Sequence, residues 1–160
     1  MMADKQRPRT LSRMAAVQAL YQSEQSESSP ETVIDQFVRH RFGDTPQAGT
    51  LEEGHIKQVE VPLFARIVRT AAAQQDTIDG MLAAALPETW PMARLDPVLR
   101  ALMRAGAAEL WMQDGPPAKV VINEYLDVAH GFFSGEEPRL ANGVLDRLAH
   151  LLRPAEFSPA

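Results

Sequence analysis

Pro138 to Leu148, PRLANGVLDRL, carries two opposed signals. Leu140, Val144, Leu145 and Leu148 fall at i, i+4, i+5 and i+8, which is one face of a helix. Asn142-Gly143 interrupts that pattern with one of the strongest turn signals a sequence can carry. A glycine inside a helix costs about 0.5–1 kcal/mol relative to alanine. Splitting the segment at Asn-Gly would separate Leu140 from its stripe partners, so the helix is kept. The pair then needs a reason. Gly143 is expected to let another helix or loop approach the backbone, and Asn142 to bond the backbone of a neighbouring irregular segment. Pro154 ends the helix.

Reading outward from this segment, nearly every other one is helical. The first helix runs from about Leu11 to Gln25, with Met14, Val17, Leu20 and Tyr21 at helical spacing. Arg13 projects on its apolar side near the helix start, where the charge should reach out past the end of the core. Ser26 to Pro30 breaks the chain. The next helix has the form of a capping box, Ser28 as N-cap and Glu31 three residues on, with Pro30 in the first turn. Its stripe is Ile34, Phe37 and Val38, and Arg39, His40 and Arg41 suit its negative end. Gly43 to Val59 is a polar loop. Pro62 opens a third helix that can continue as far as Pro87, with a break near Asp76 or Gly80 as the alternative. Asp96-Pro97 reads as N-cap and first helical residue. Val98, Leu99, Leu102, Met103, Gly106, Leu110 and Trp111 follow, and Ala105 to Ala108 is a small-residue run where helices can cross closely. A fifth helix starts at Pro117 with a wide apolar arc, which marks it as central, and His130 to Gly135 is the next break. No strand alternation and no internal repeat appears. The fold class is therefore all-α, and 160 residues suit a single domain.

Composition removes several kinds of chemistry. The chain has no cysteine, which excludes disulfides, thiolate-bound zinc, iron–sulfur clusters and cysteine nucleophiles, and suits a reducing cytoplasm. No apolar run approaches the roughly 20 residues that span a bilayer. The basic start MMADKQRPRTLSR lacks an apolar continuation and does not read as a signal peptide. Lys5, Arg7, Arg9 and Arg13 against Asp4 give this start a net charge of +3, leaving −8 for the rest of the chain. A basic arm on an acidic body fits a local anionic contact, or a solvated tail.

Candidate catalytic groups are few. The four histidines, His40, His55, His130 and His150, are scattered without paired metal-ligand spacing. There is no P-loop and no GxGxxG, and Ser134-Gly135 is a loop pair without the context of a nucleophile elbow. Glu136-Glu137 reads as acids at the start of a helix, stabilised by its dipole. Asn123-Glu124 lies in the central helix, where such groups cap loops or pair with bases. No metal, cofactor or enzymatic activity is expected.

Val120 to Leu148, VVINEYLDVAHGFFSGEEPRLANGVLDRL, resembles the NusB family of transcription antitermination factors. Ile122-Asn123-Glu124 matches its "INE" helix, and Asn142-Gly143-Val144-Leu145-Asp146 matches its "N-G-V-L-D". Arg13 with Ala16-Val17-Gln18-Ala19-Leu20-Tyr21 resembles the N-terminal "R-x-x-A-V-Q-A-L-Y". Arg104 with Glu109-Leu110, and Pro117 with Val121, resemble two further family pieces in the same order. The resemblance implies about six to seven helices in two packed three-helix sub-bundles and no catalytic activity. It implies binding of boxA-type single-stranded RNA together with NusE, a small-subunit ribosomal protein. That binding would occur within an RNA polymerase antitermination complex containing other Nus factors and active on ribosomal RNA genes. A NusB-like domain also occurs fused to RNA cytosine methyltransferases, so a methyltransferase-associated or assembly scaffold is the alternative.

Carried over to this sequence, RNA contacts fall on Arg9 and Arg13, with Gln18 and Tyr21 nearby. Thr10 and Leu11 stand where the family has arginines, which shifts weight onto Lys5 and Arg7. Partner contacts fall on Glu136, Arg139 and Leu140, with Leu140 in place of a family phenylalanine and Ala108 in place of a tyrosine. Residues 1–9 are expected as a flexible basic arm, 10–153 as the helical domain and 154–160 as a short tail. No membrane association is expected, and the small-residue helix faces permit a monomer or a weak homodimer.

Overall fold

A computed structural model describes residues 2–42 and 59–158, with side chains described from Pro8 onward. Within them the chain forms seven α-helices and no strand. These are α1 (Met2–Ser26), α2 (Pro30–His40), α3 (Val61–Ala73), α4 (Gln75–Ala85), α5 (Pro97–Trp111), α6 (Ala118–Phe132) and α7 (Glu137–Leu152). Two 3-10 turns, Met92–Arg94 and Pro154–Glu156, complete the order. The polar loop expected over Gly43 to Val59 lies, up to residue 58, outside the described residues. The chain divides into two compact units whose sequence boundary falls between Arg69 and Thr70, inside α3.

In the first unit, α1 packs on α2. Helix α1 begins at Met2 rather than Leu11 and carries Pro8 inside it. Starting earlier changes the fate of Arg13. The residue lies mid-helix with no helix end to reach past, and it is only 2% exposed. Helix α1 closes with Glu27 in the left-handed region at φ 55°, a conformation glycine adopts more readily. The N-cap of α2 is Ser29, not Ser28, and its side chain accepts from the Thr32 amide at 3.1 Å. Pro30 is then the first helical residue, and Glu31 is left to bind Arg69 through two bonds of 2.7 and 2.9 Å. The buried stripe of α2 is Val33, Ile34 and Phe37, while Val38 is 37% exposed. Phe37, Phe42 and Phe64 pack ring to ring at 4.8–5.9 Å, and they bury the aromatic centre of this unit. Buried Ser12 ties α1 to the start of α3: its hydroxyl accepts from the Glu60 amide at 2.7 Å and donates to the Pro8 carbonyl at 2.6 Å.

The second unit is built around α5, whose positions 101–110 are buried apart from the half-buried Arg104. Helices α4, α6 and α7 all pack against it, and α7 also packs on α4 and α6. The long third helix breaks at Gln74, where no side chain caps the start of α4. The apolar periodicity runs through that point, and the break falls close to Asp76, one of the two alternatives the sequence offered. Asp96 caps α5 as expected, accepting from the Val98 and Leu99 amides. Gly106 is where the helices cross closely. A Cβ there would meet both Leu145 methyls at 3.0 Å and the Tyr125 ring at 3.5 Å. The neighbouring Ala105, Ala107 and Ala108 are fully buried, so this small-residue run is used inside the fold. Helix α6 continues through His130-Gly131 to Phe132.

Helix α7 spans Asn142-Gly143 without interruption. The reason differs from the one expected. A Cβ at Gly143 would meet no described atom within 4 Å. Asn142 is exposed, and its side chain makes no hydrogen bond to a described residue. Pro138, Ala141, Val144, Leu145, Leu148 and Ala149 form the buried stripe, and at about 100° per residue Gly143 stands nearly opposite its centre. The helix forms because six buried positions outweigh a glycine penalty of about 1 kcal/mol.

Candidate nucleic-acid and partner interfaces

The candidate RNA residues do not share one face. Lys5 and Arg7 lie on the first turns of α1, and their side chains fall outside the described residues. Arg9 is more than half exposed and stands 3.7 Å from the Glu60 carboxylate. It occupies the same helical stripe as buried Ala16 and Arg13, one turn before the burial begins. Arg13 is inside. No buried side-chain nitrogen or oxygen among the described residues lacks a hydrogen bond, and Arg13 interacts with other groups of the chain. The burial keeps its charge from the surface.

Gln18 and Tyr21 lie on the opposite, solvent side of α1, roughly 14–18 Å along the axis from Arg9. Tyr21 is 37% exposed. Both border an open cleft of about 430 Å³ between α1 and α2, which Gln22, Phe37 and Arg41 also line. The Arg41 guanidinium lies over the Phe37 ring, 4.8 Å from its centroid, and donates to Gln18 Oε1 at 3.4 Å. The Gln22 amide is held by Gln36 Oε1 at 2.8 Å. Sequence reasoning missed Arg41, which it assigned to the helix dipole. Its only signal was the cluster Arg39-His40-Arg41 itself.

The candidate partner residues do come together. Glu136 is the N-cap of α7, with its carbonyl accepting from the Leu140 amide at 3.0 Å. Glu136 and Arg139 are exposed and Leu140 is half-buried. Residues three and four apart are surface neighbours on a helix, so Glu136, Arg139, Leu140 and Gly143 form one stripe. The stripe ends on bare backbone at Gly143.

A second arginine escaped the sequence reading altogether. Arg153, 5% exposed, donates to the carbonyls of Glu109, Leu110, Met112 and Pro116 at 2.7–3.0 Å. These include carbonyls at the end of α5 that have no partner within the helix. Its fifth bond goes to Glu156 Oε2 at 2.9 Å. Glu156 Oε1 in turn accepts from the Ala118 amide at 2.8 Å, at the start of α6. The Ala118 amide, and then Arg153, hold the Glu156 carboxyl below the ordinary glutamate value of 4.5. Two further polar pairs fix this unit: Arg104 binds Asp79 twice at 2.8 Å, and Tyr125 donates to Glu109 at 2.7 Å.

No group of three or more His, Asp or Glu that could hold a metal occurs among the described residues. None of the helices among them is long and apolar enough to cross a membrane. The chain is thus an all-α protein whose notable features are exposed polar surfaces on α1 and α7. The family model described as "NusB family" matches residues 10–150. The transcription antitermination protein NusB of Granulibacter bethesdensis is 64% identical over 95% of this chain and 93% of its own length. That of Gluconobacter oxydans is 52% identical over 89% of this chain and 87% of its own. A solved structure of T. maritima NusB matches with a TM-score of 0.73 at 23% identity, covering 94% of this chain and 96% of that one. The chain belongs to the NusB family, a family of transcription antitermination factors.

Proposed function

We propose that this protein is a non-catalytic antitermination factor that binds boxA-type single-stranded RNA jointly with NusE, in an RNA polymerase complex with other Nus factors, and so supports ribosomal RNA transcription. It acts in the cytoplasm, as a monomer or weak homodimer. The observation that carries the RNA side is Arg9, an exposed cation in a segment of net charge +3 at the start of α1. Arginines fix phosphates by charge and fork geometry, and polar and aromatic groups read splayed bases. Arg9, with Lys5 and Arg7, supplies the first function, and Gln18 and Tyr21 supply the second. Arg13 contributes by holding α1 in the packed unit. The NusE side rests on exposed Glu136 and Arg139 and half-buried Leu140, which form one stripe that continues to Gly143. With no described atom within 4 Å of a Cβ built at Gly143, a partner segment can lie close against the backbone of α7.

The test compares two arginines. RNA affinity is measured by fluorescence anisotropy at several salt concentrations, and stability by thermal melting. Arg9→Ala should weaken binding and reduce the salt slope by about one phosphate contact, with the melting temperature nearly unchanged. Arg13→Ala should lower the melting temperature and leave the salt slope of the folded protein as it was. A slope unaffected by Arg9→Ala removes Arg9 from the interface.

A further inference from the structure

The cleft between α1 and α2 has the chemistry of a site for a flat, polar, uncharged-to-anionic group. Its volume of about 430 Å³ falls in the ordinary range for small-ligand sites, and it opens widely enough to admit part of a polymer. No carboxylate of the described residues lines it. One wall offers the half-exposed Tyr21 ring. The other offers Arg41, seated over Phe37. The amides of Gln18 and Gln22 stand along the α1 side, each with a donor and an acceptor able to bond the edge of a base.

Arg41 is the most informative of these groups. It is exposed, and no acidic side chain among the described residues pairs with it. Its bond to Gln18, at 3.4 Å, is at the long limit for N–H···O. Among the described residues, no other acceptor takes its remaining donors. The Phe37 ring nevertheless holds the guanidinium in place, so it is pre-positioned and not freely swinging. A guanidinium fixed on one side and open on the other, across from a phenol ring, is a stacking platform for a base.

We propose that this cleft binds one unstacked base of the single-stranded RNA, with Arg41 and Tyr21 stacking on it and Gln18 and Gln22 contacting its edge. The proposal rests on the RNA-binding reading above and adds Arg41 and a base subsite to it. The subsite lies on the side of α1 facing away from Arg9, so phosphate contacts at the helix start and base capture in the cleft are separate events along the strand.

The experiment is a set of boxA-type RNAs, each carrying one abasic nucleotide, titrated against the wild type, Arg41→Ala and Arg41→Lys, with and without NusE. For the wild type, one abasic position should weaken binding on the order of tenfold. Arg41→Ala should bind the intact RNA more weakly by a similar factor, and at that same position the abasic RNA should cost it nothing further. Arg41→Lys should resemble Arg41→Ala, because lysine keeps the charge and loses the planar stack. Melting curves should stay close to wild type, since Arg41 is exposed. Identical abasic profiles for wild type and Arg41→Ala overturn the subsite while RNA binding stands. Full binding by Arg41→Lys also overturns it, leaving a simple charge contact. Absence of wild-type binding to any of the RNAs, with or without NusE, overturns the subsite and the RNA reading together.

Discussion

Arg153 and Arg41 are the same side chain in opposite situations. Arg153 is buried where α5, α6 and the end of α7 converge, and five hydrogen bonds use its donors completely. Arg41 sits at the rim of the α1–α2 cleft, and among the described residues its guanidinium makes one long bond. The first holds backbone carbonyls that are buried or partly buried. The second is held in place by an aromatic ring and left open to water. Type and charge are equal, so the partners decide the role. A guanidinium saturated by main-chain oxygens maintains the fold, and one with spare donors on a rigid seat is available to a ligand.

The sharpest way to break this comparison is to remove the saturated arginine. Arg153→Met keeps the length and loses every donor, leaving several carbonyls at the end of α5 unpaired. A loss of about 3–5 kcal/mol is expected, visible as a large drop in the urea midpoint. A variant of wild-type stability would mean that the clasp is incidental.

The two mid-helix glycines give a smaller effect of opposite sign. Gly106→Ala places a methyl 3.0 Å from Leu145. Overpacking of roughly 1–3 kcal/mol should exceed the gain in helix propensity, so the variant melts lower. Gly143→Ala meets open space and should raise stability by about 0.5–1 kcal/mol. If α7 receives a partner at that backbone, the same variant binds NusE more weakly. A stabilised Gly143→Ala with undiminished partner binding would detach the glycine from the interface.

The smallest effect is acid sensitivity. The folded protein holds Glu156 below its ordinary value, through the Ala118 amide and then Arg153. A depressed carboxylate contributes stability that is present above about pH 4.5 and is lost as pH falls through the folded value. Denaturant midpoints between pH 6 and pH 3 should therefore fall less steeply for Glu156→Gln than for wild type. The neutral variant should also be slightly less stable at pH 6. Parallel slopes would show that the pair does not stabilise the fold through its charge.

Much of the helical plan was legible in the sequence because it depends on local signals. Asp96-Pro97 announced the start of α5, the stripe of Leu140, Val144, Leu145 and Leu148 announced α7 (though Leu140 is only half-buried), and Ala105 to Ala108 announced a close crossing. Failures came where an outcome depends on distant chain. Arg13 was misplaced because the true start of α1 at Met2 carries no cap or apolar marker, and a few extra turns move a residue from helix end to helix middle. The neighbouring serines Ser28 and Ser29 both suit an N-cap, and only the backbone decides between them. Gly143 was assigned a packing role because glycine signals close approach, yet nothing in the sequence says from which side. Arg153 and Glu156 lie beyond the last apolar residue of α7, where local pattern has ended. Their partners, Glu109 to Ala118, are roughly forty residues away.

Within the candidate site, the stripe from Glu136 to Leu140 was readable, since three- and four-residue spacing on a helix is enough to bring side chains together. The cleft was not readable, because it needs α1 and α2 side by side. Gln18 and Tyr21 came from the family resemblance alone, and Arg41 came from the fold.

The central claim is that α1 and the start of α7 serve two partners of one complex. The most direct measurement is the anisotropy of a labelled boxA-type RNA titrated with this protein, with and without NusE, at two salt concentrations. Tighter binding is expected when NusE is present, a gain abolished by Glu136→Lys or Leu140→Ala while binding to RNA alone is retained. Weak binding that ignores both NusE and RNA sequence would contradict the claim.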